Sequence, residues 1–337
     1  MTMHRRTTEV SEGTQASLHF GDPSKDMAAL WLHATGFNAM TYRSLLAPLG
    51  ERHRVAGLDM RGHGLTDLPA DPKALKSWHV YRDDVIEFLE KEASGPVVLG
   101  GHSMGGCVSL LVAGKRPDLV AGLVLADPVI LNPRFYFWLH VLPFIRQTNK
   151  MSRQAKRRRA EFPDRQTAYE SYKGKSAFST WREPFLSDYL EDGFREAHSS
   201  EGEQVVRLTC EPAWESATFS SQRNQPWGAL KKVQNAQIPT VVFRPNIRPV
   251  MTNKVSNLMS SRYRELILRE RHVGRTKRSL TQVLRPTEGE KVTLEGAPAP
   301  LAARAPGDQG RFEYACRQIS SLERTGANSR DEEILDI

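Results

Sequence analysis

The sequence predicts an α/β fold: a mostly parallel sheet with helices on both faces, an inserted helical lid and a disordered C-terminal tail. Three observations carry that prediction. Segments that read as strands alternate with segments that read as helices from about residue 28 to 130. The strand segments, such as Ala28-Ala29-Leu30-Trp31-Leu32 and Leu119 to Ala126, are continuously apolar rather than alternating, as expected of strands covered on both faces. Several of them run directly into short loops rich in Gly, His and Asp, at the carboxyl ends where open parallel sheets place their sites.

Taken in order, residues 1–14 are polar and are expected to be loose. Gln15 to Phe20 reads as an edge strand. The strand at 28–32 ends in His33-Ala34-Thr35-Gly36-Phe37-Asn38, and residues 41–49 read as a helix. Arg54-Val55-Ala56-Gly57-Leu58 is the next strand, ending in Asp59-Met60-Arg61-Gly62-His63-Gly64. Trp78 to Glu92 is an amphipathic helix, with Val85, Phe88 and Leu89 on one face and Asp83, Asp84, Glu87 and Glu90 elsewhere. Pro96-Val97-Val98-Leu99 is a short buried strand, and Cys107 to Ala113 reads as a buried helix. Leu119 to Ala126 is another strand, ending in Asp127-Pro128.

Between those last elements lies Gly100-Gly101-His102-Ser103-Met104-Gly105-Gly106. Gly101-x-Ser103-x-Gly105 on a strand-to-helix turn is the pattern of a nucleophile elbow. A turn that tight crowds the backbone, so the residues flanking the serine must shed their side chains. The serine oxygen is then held out into a cleft, before a helix N-terminus that favours developing negative charge.

The alternation stops near residue 130 and resumes near 238. Residues 15–130 therefore read as the first half of the core, 131–230 as a helical insertion, 231–273 as the rest of the core and 274–337 as the tail. The insertion holds the aromatic run Phe135-Tyr136-Phe137-Trp138, read as packing before an acyl pocket, and Arg157-Arg158-Arg159, read as a solvated helix face. Pro239 to Phe243 and Glu265 to Leu268 read as the last strands. Residues 274–337 contain no Trp, no His and only Phe312 and Tyr314 as aromatics, with no sustained periodicity.

Net charge is +8, and residues 244–337 contribute 17 Lys and Arg against 12 Asp and Glu, so more than half of the surplus lies there. The basic residues are scattered and no nucleic-acid motif accompanies them, so a nucleic-acid partner is not expected. Cys107, Cys210 and Cys316 have no metal or disulfide spacing, which suits a reducing cytoplasm. Met1-Thr2-Met3-His4-Arg5-Arg6 is followed by no apolar stretch and does not read as a signal peptide. No run approaches the ~18 apolar residues of a membrane helix. No metal and no cofactor are implied. Oligomeric state is not legible.

Together, His33 to Phe37, Asp59 to Gly64, Gly101 to Gly106 and Asp127-Pro128 resemble the α/β-hydrolase fold superfamily over about residues 25–245. The resemblance implies a serine hydrolase acting on a small carboxylic ester or related acyl compound, with Ser103 as nucleophile. It implies an oxyanion hole from the backbone N–H groups of Met104 and Phe37. It places the acid at Asp127, since Pro239 to Arg264 contains no Asp or Glu. The order Ser103, Asp127, His272 makes His272 the base, although no glycine precedes it and five basic residues surround it between 269 and 278. A surface histidine is the alternative there. The loss of motif and periodicity in that region is also what a shifted reading frame would produce. His33, His63 and His102 are expected to brace loops. The same fold also supports carbon–carbon bond hydrolysis, cofactor-free haloperoxidase (perhydrolysis) chemistry and non-catalytic or catalytically impaired binding proteins.

Overall fold

The computed structural model describes residues 3–141, 149–175, 178–179, 181, 183–245, 249–263 and 266–271, with 138–141 and 266–271 as backbone alone. In chain order the elements are β1 (Met3–Val10), β2 (Gly13–Phe20), β3 (Met27–Leu32), α1 (Arg43–Leu46), β4 (Arg54–Leu58), α2 (His79–Glu92), β5 (Val97–His102), α3 (Met104–Lys115) and β6 (Val120–Ala126). Then come α4 (Pro133–Val141), α5 (Lys150–Lys156), β7 (Glu161–Phe162), α6 (Arg165–Tyr172), α7 (Phe185–Gly193), β8 (Phe194–His198), β9 (Gln204–Leu208), α8 (Pro212–Ser220) and α9 (Pro226–Asn235). β10 (Thr240–Pro245), α10 (Asn253–Arg262) and β11 (Leu266–Arg271) complete the described chain.

The main sheet has the order β1-β2-β4-β3-β5-β6-β10-β11 and is parallel from β4 to β11. The continuous apolar runs bury both faces. Leu30 and Leu32 of β3 join one cluster with Val85, Phe88 and Leu89 of α2 and Val108 of α3. Trp31, between them, joins the opposite cluster with Leu18, Tyr42, Val55 and Val124. Each fully buried side chain of this size contributes about 1.5–3 kcal/mol. α9 packs on α3 where Gly114 leaves room for Ala229, 2.8 Å from where a Cβ on the glycine would stand.

The N-terminus departs from the expectation of a loose segment. Met3–Val10 is the edge strand, antiparallel to β2 from Met3 opposite Phe20 to Val10 opposite Gly13. Its polarity has partners from distant elements: Arg5 pairs with Glu191 and Asp192, Arg6 with Glu92, and Thr8 Oγ1 donates to Glu92 at 2.9 Å. Gln15 to Phe20 is therefore an interior strand.

The segment between β6 and α9 is not wholly helical. It contains an antiparallel sheet in the order β7-β9-β8. Helices α6 and α7 flank the residues between them as separate elements. Its apolar residues Phe162, Phe178, Leu186, Tyr189, Phe194 and Leu208 form a third cluster, which meets the core at Phe37. In the aromatic run, Tyr136 is buried while Phe135 and Phe137 are exposed. The expected tail at 274–337 lies outside the described residues.

Candidate active site

β5 and β6 run in parallel register up to His102 opposite Ala126. The next residue, Ser103, donates its N–H to Ala126 O at 2.9 Å and takes φ 54° and ψ −111°. Helix α3 starts at once, so Met104 N–H is one of the first-turn donors without an intrahelical acceptor. Ser103 O accepts from Cys107 N–H at 3.2 Å and Val129 N–H at 3.1 Å, closing the turn on both sides. The flanking glycines have a steric cause. A Cβ on Gly101 would overlap Gly105, and a Cβ on Gly105 would overlap the carbonyls of Leu32 and His33.

That last contact lays the loop after β3 against the elbow, since Leu32 pairs with Gly101 across the β3–β5 ladder. Two histidines fix the loop. His33 meets Ala34 O through Nδ1 at 2.8 Å and accepts Met60 N–H at Nε2 at 3.0 Å. His63 meets Arg61 O through Nδ1 at 2.9 Å and accepts Gly36 N–H at Nε2 at 3.1 Å. Each pattern requires a neutral ring with its proton on Nδ1. Burial agrees, holding His33 well below the ordinary imidazole range and His63 at about 4. His102 turns to Tyr42: the Tyr42 hydroxyl accepts Ala34 N–H at 3.2 Å and meets His102 Nδ1 at 2.9 Å.

Phe37, the expected oxyanion donor, has a partner for its amide inside its own loop. Its N–H donates to Ala34 O at 3.1 Å and closes the turn 34–37. Thr35 lies two residues nearer the elbow. Its Oγ1 meets Met104 Sδ at 3.3 Å, and its N–H has no acceptor among the described residues. The sequence marks the loop but not which of its amides the turn consumes.

Asp127 directly follows β6, with φ 42° and its N–H on Phe243 O at 2.7 Å. Its buried carboxylate accepts Val250 N–H at 2.9 and 3.1 Å on its two oxygens and Met251 N–H at 3.3 Å. Burial pushes its pKa up, opposed by those two amides and by Arg244. Ser103, Met104 and Asp127 thus stand at the carboxyl ends of adjacent strands, with the Thr35 loop beside them. His272 lies outside the described residues; β11 ends one residue before it.

Arg158 also departs from expectation. Its neighbours Arg157 and Arg159 are exposed, but Arg158 turns inward to Glu215 at 2.6 Å and to the hydroxyls of Tyr189 at 2.6 Å and Tyr172 at 3.1 Å. No local signal reveals this, because its carboxylate is 57 residues away.

A model of the alpha/beta hydrolase family matches residues 29–253. Among curated proteins, the 2-(acetamidomethylene)succinate hydrolase of Mesorhizobium japonicum is 34% identical over 98 residues, 29% of this chain and 34% of that protein. Human monoglyceride lipase is 36% identical over 107 residues, 30% of this chain and 35% of the lipase. The chain thus matches about a third of the length of these curated relatives. Among solved structures, E-2-(acetamidomethylene)succinate hydrolase superposes with a TM-score of 0.62 at 19% identity, covering 80% of this chain and 90% of the other. A thioesterase domain from the curacin biosynthetic pathway gives 0.61 at 16% identity, covering 80% and 92%. At these identities the likeness is one of fold. No helix among the described residues is long and apolar enough to cross a membrane.

Proposed function

The chain belongs to the alpha/beta hydrolase family, and on that footing we propose that it is a serine hydrolase acting on a small carboxylic ester or related acyl compound. The observation that carries this reading is the backbone of Ser103, a non-glycine residue with φ 54° between β5 and α3. A conformation that costs an L-residue on the order of 1–3 kcal/mol persists where the surroundings enforce it. Here it lifts one hydroxyl to the end of the sheet, in front of a helix N-terminus.

In this reading Ser103 Oγ attacks the substrate carbonyl carbon while His272 takes its proton. The carbonyl oxygen becomes an oxyanion held by Met104 N–H and, in place of Phe37, Thr35 N–H. The tetrahedral adduct collapses, the ester C–O bond breaks, and the imidazolium returns the proton to the leaving alkoxide. Water then hydrolyses the acyl-enzyme by the same steps. Asp127 orients the imidazole and stabilises its charged form. The Val250 and Met251 amides hold the carboxylate. The name of the lipase among the relatives supports an ester substrate.

The test is labelling with a fluorophosphonate, followed by peptide mapping, alongside hydrolysis of short p-nitrophenyl esters. Rapid labelling at Ser103, and loss of both labelling and hydrolysis in Ser103→Ala, support the reading. A folded protein that is not labelled sinks it in favour of a non-catalytic binding protein.

A further inference from the structure

The loop at 33–38 is held from outside the core as well as from within it. Helix α8 lays two consecutive residues on the two loops beside the elbow. Trp214 Nε1 donates to Arg61 O at 3.0 Å, and its indole fills the space over Gly62. Glu215 does the same at Gly36: its Oε1 lies 2.6 Å from where a Cβ on that glycine would stand. Gly36 has φ +77°, so it must be glycine for conformation and for space alike.

The Glu215 carboxylate is buried against the segment in which oxyanion charge develops. Alone, it would oppose that charge in a low-dielectric setting. Arg158 answers it, with Nη1 on Oε2 at 2.6 Å. The same guanidinium donates through Nη2 to Tyr189 and Tyr172. Tyr189 grips the far end of the loop: Asn38 Nδ2 donates to its carbonyl at 2.9 Å, and Phe37 packs edge-on to its ring at 5.9 Å. Gly36, Phe37 and Asn38 are therefore all held by groups tied to one guanidinium.

We propose that Arg158 is a positioning residue for the oxyanion loop: through Glu215 and Tyr189 it fixes the loop at residues 36–38 and neutralises the carboxylate beside them. This rests on the serine-hydrolase reading above. It makes Arg158 act on the transition state more than on substrate binding, because the loop it holds carries the Thr35 N–H assigned above to the oxyanion.

The experiment compares wild type, Arg158→Met, Arg158→Lys, Glu215→Gln and the Arg158→Met/Glu215→Gln double variant. The readouts are kcat and KM on p-nitrophenyl acetate and hydrogen exchange of the peptide spanning 33–38. Arg158→Met is expected to lower kcat by about 10–100-fold, short of the loss of a whole oxyanion donor, with KM little changed. Exchange over 33–38 should accelerate. Arg158→Lys should recover part of the loss, since it keeps the charge without the fork. The double variant should also recover kcat relative to Arg158→Met, because it removes the stranded carboxylate while keeping its shape. A purely structural role would make the double variant no better than the single. That result, or Arg158→Met with wild-type kcat and unchanged exchange, overturns the proposal. Wild-type labelling by a fluorophosphonate separates the two readings. An unlabelled wild type defeats the hydrolase assignment, and the exchange data still decide whether Arg158 holds the loop.

Discussion

Ser103 and Asp127 are non-glycine residues with positive φ, 54° and 42°, and each stands one step beyond the paired residues His102 and Ala126 of adjacent parallel strands. The two kinks are coupled through the ladder: Ser103 N–H bonds to Ala126 O and Asp127 N–H to Phe243 O, at 2.9 and 2.7 Å. Three neighbouring strands thus hold two strained residues in fixed relation. Strain of this kind is commonly maintained at functional sites at the expense of stability.

The first prediction follows from that strain. Ser103→Gly removes the side chain that makes φ 54° costly. It should raise stability by about 1 kcal/mol, after the entropy lost by a flexible glycine is subtracted. The same variant should lose about 10⁶ in kcat, as for removal of a triad nucleophile. Denaturant melts and ester hydrolysis on one preparation check both arms. A variant less stable than wild type would show that the turn is not strained by its side chain.

Asp127→Asn tests the acid. Among the described residues the Asp127 carboxylate receives only N–H donors, from Val250 on both oxygens and from Met251 on one. An amide presents one oxygen and one NH₂, so a donor faces a donor. The expected cost is about 1–2 kcal/mol of stability, and about 10⁴ in kcat through loss of the correct imidazole tautomer. Melting curves and steady-state kinetics measure the two separately. Unchanged kinetics in a folded variant would remove Asp127 from the mechanism.

The elbow was legible because its glycines answer a local steric demand, and the covered sheet because burial on both faces leaves continuous apolar runs. The edge strand Met3–Val10 was not, because Arg5 and Arg6 find their carboxylates on α7 and α2, far along the chain. The short sheet of β7, β9 and β8 was hidden in a segment of mixed charge and aromatics, with β7 only two residues long. At the site, sequence could choose the loop but not the amide. Which N–H is free depends on the turn bond from Phe37 to Ala34. Arg158 was hidden for a related reason. One arginine in a run of three turns inward, and only Glu215, Tyr172 and Tyr189 reveal which.

The buried histidines set a pH dependence. Burial lowers the pKa of His63 to about 4, against about 6.5 for an unfolded imidazole. Between those values the unfolded chain binds a proton that the folded chain does not, so His63 contributes stability above pH 6.5 that is lost as pH falls toward 4. Asp59 works oppositely. Burial raises its pKa to about 7 despite bonds from the Ala39 and Leu65 amides, so its contribution declines as pH rises through that range. Urea melts of wild type and His63→Gln across pH 4–7 separate the two. The stability of the variant relative to wild type should increase as pH falls, by a few kcal/mol across the window. A difference that does not vary with pH would mean that the His63 ring is already charged or exposed.

The last prediction concerns the anchor of α7 on the core. Asp188 is 1% exposed and meets Arg43 of α1 at 2.6 Å, with Ser44 Oγ at 3.4 Å. Burial raises its pKa to about 6, and Arg43 opposes that rise. Arg43→Met keeps the aliphatic stem but strands the carboxylate, so its pKa should climb further. A stranded buried carboxylate costs several kcal/mol when charged; Arg43 is 37% exposed, so water shares its role and about 1–3 kcal/mol is expected. The cost should be largest at pH 8, where the folded protein must either keep the charge or bind a proton against the gradient. It should shrink toward pH 5, where Asp188 is largely protonated whether or not Arg43 is present. Paired melts of wild type and Arg43→Met at pH 8 and pH 5 provide the check. A destabilisation equal at both pH values would assign Arg43 a packing role in place of a charge role.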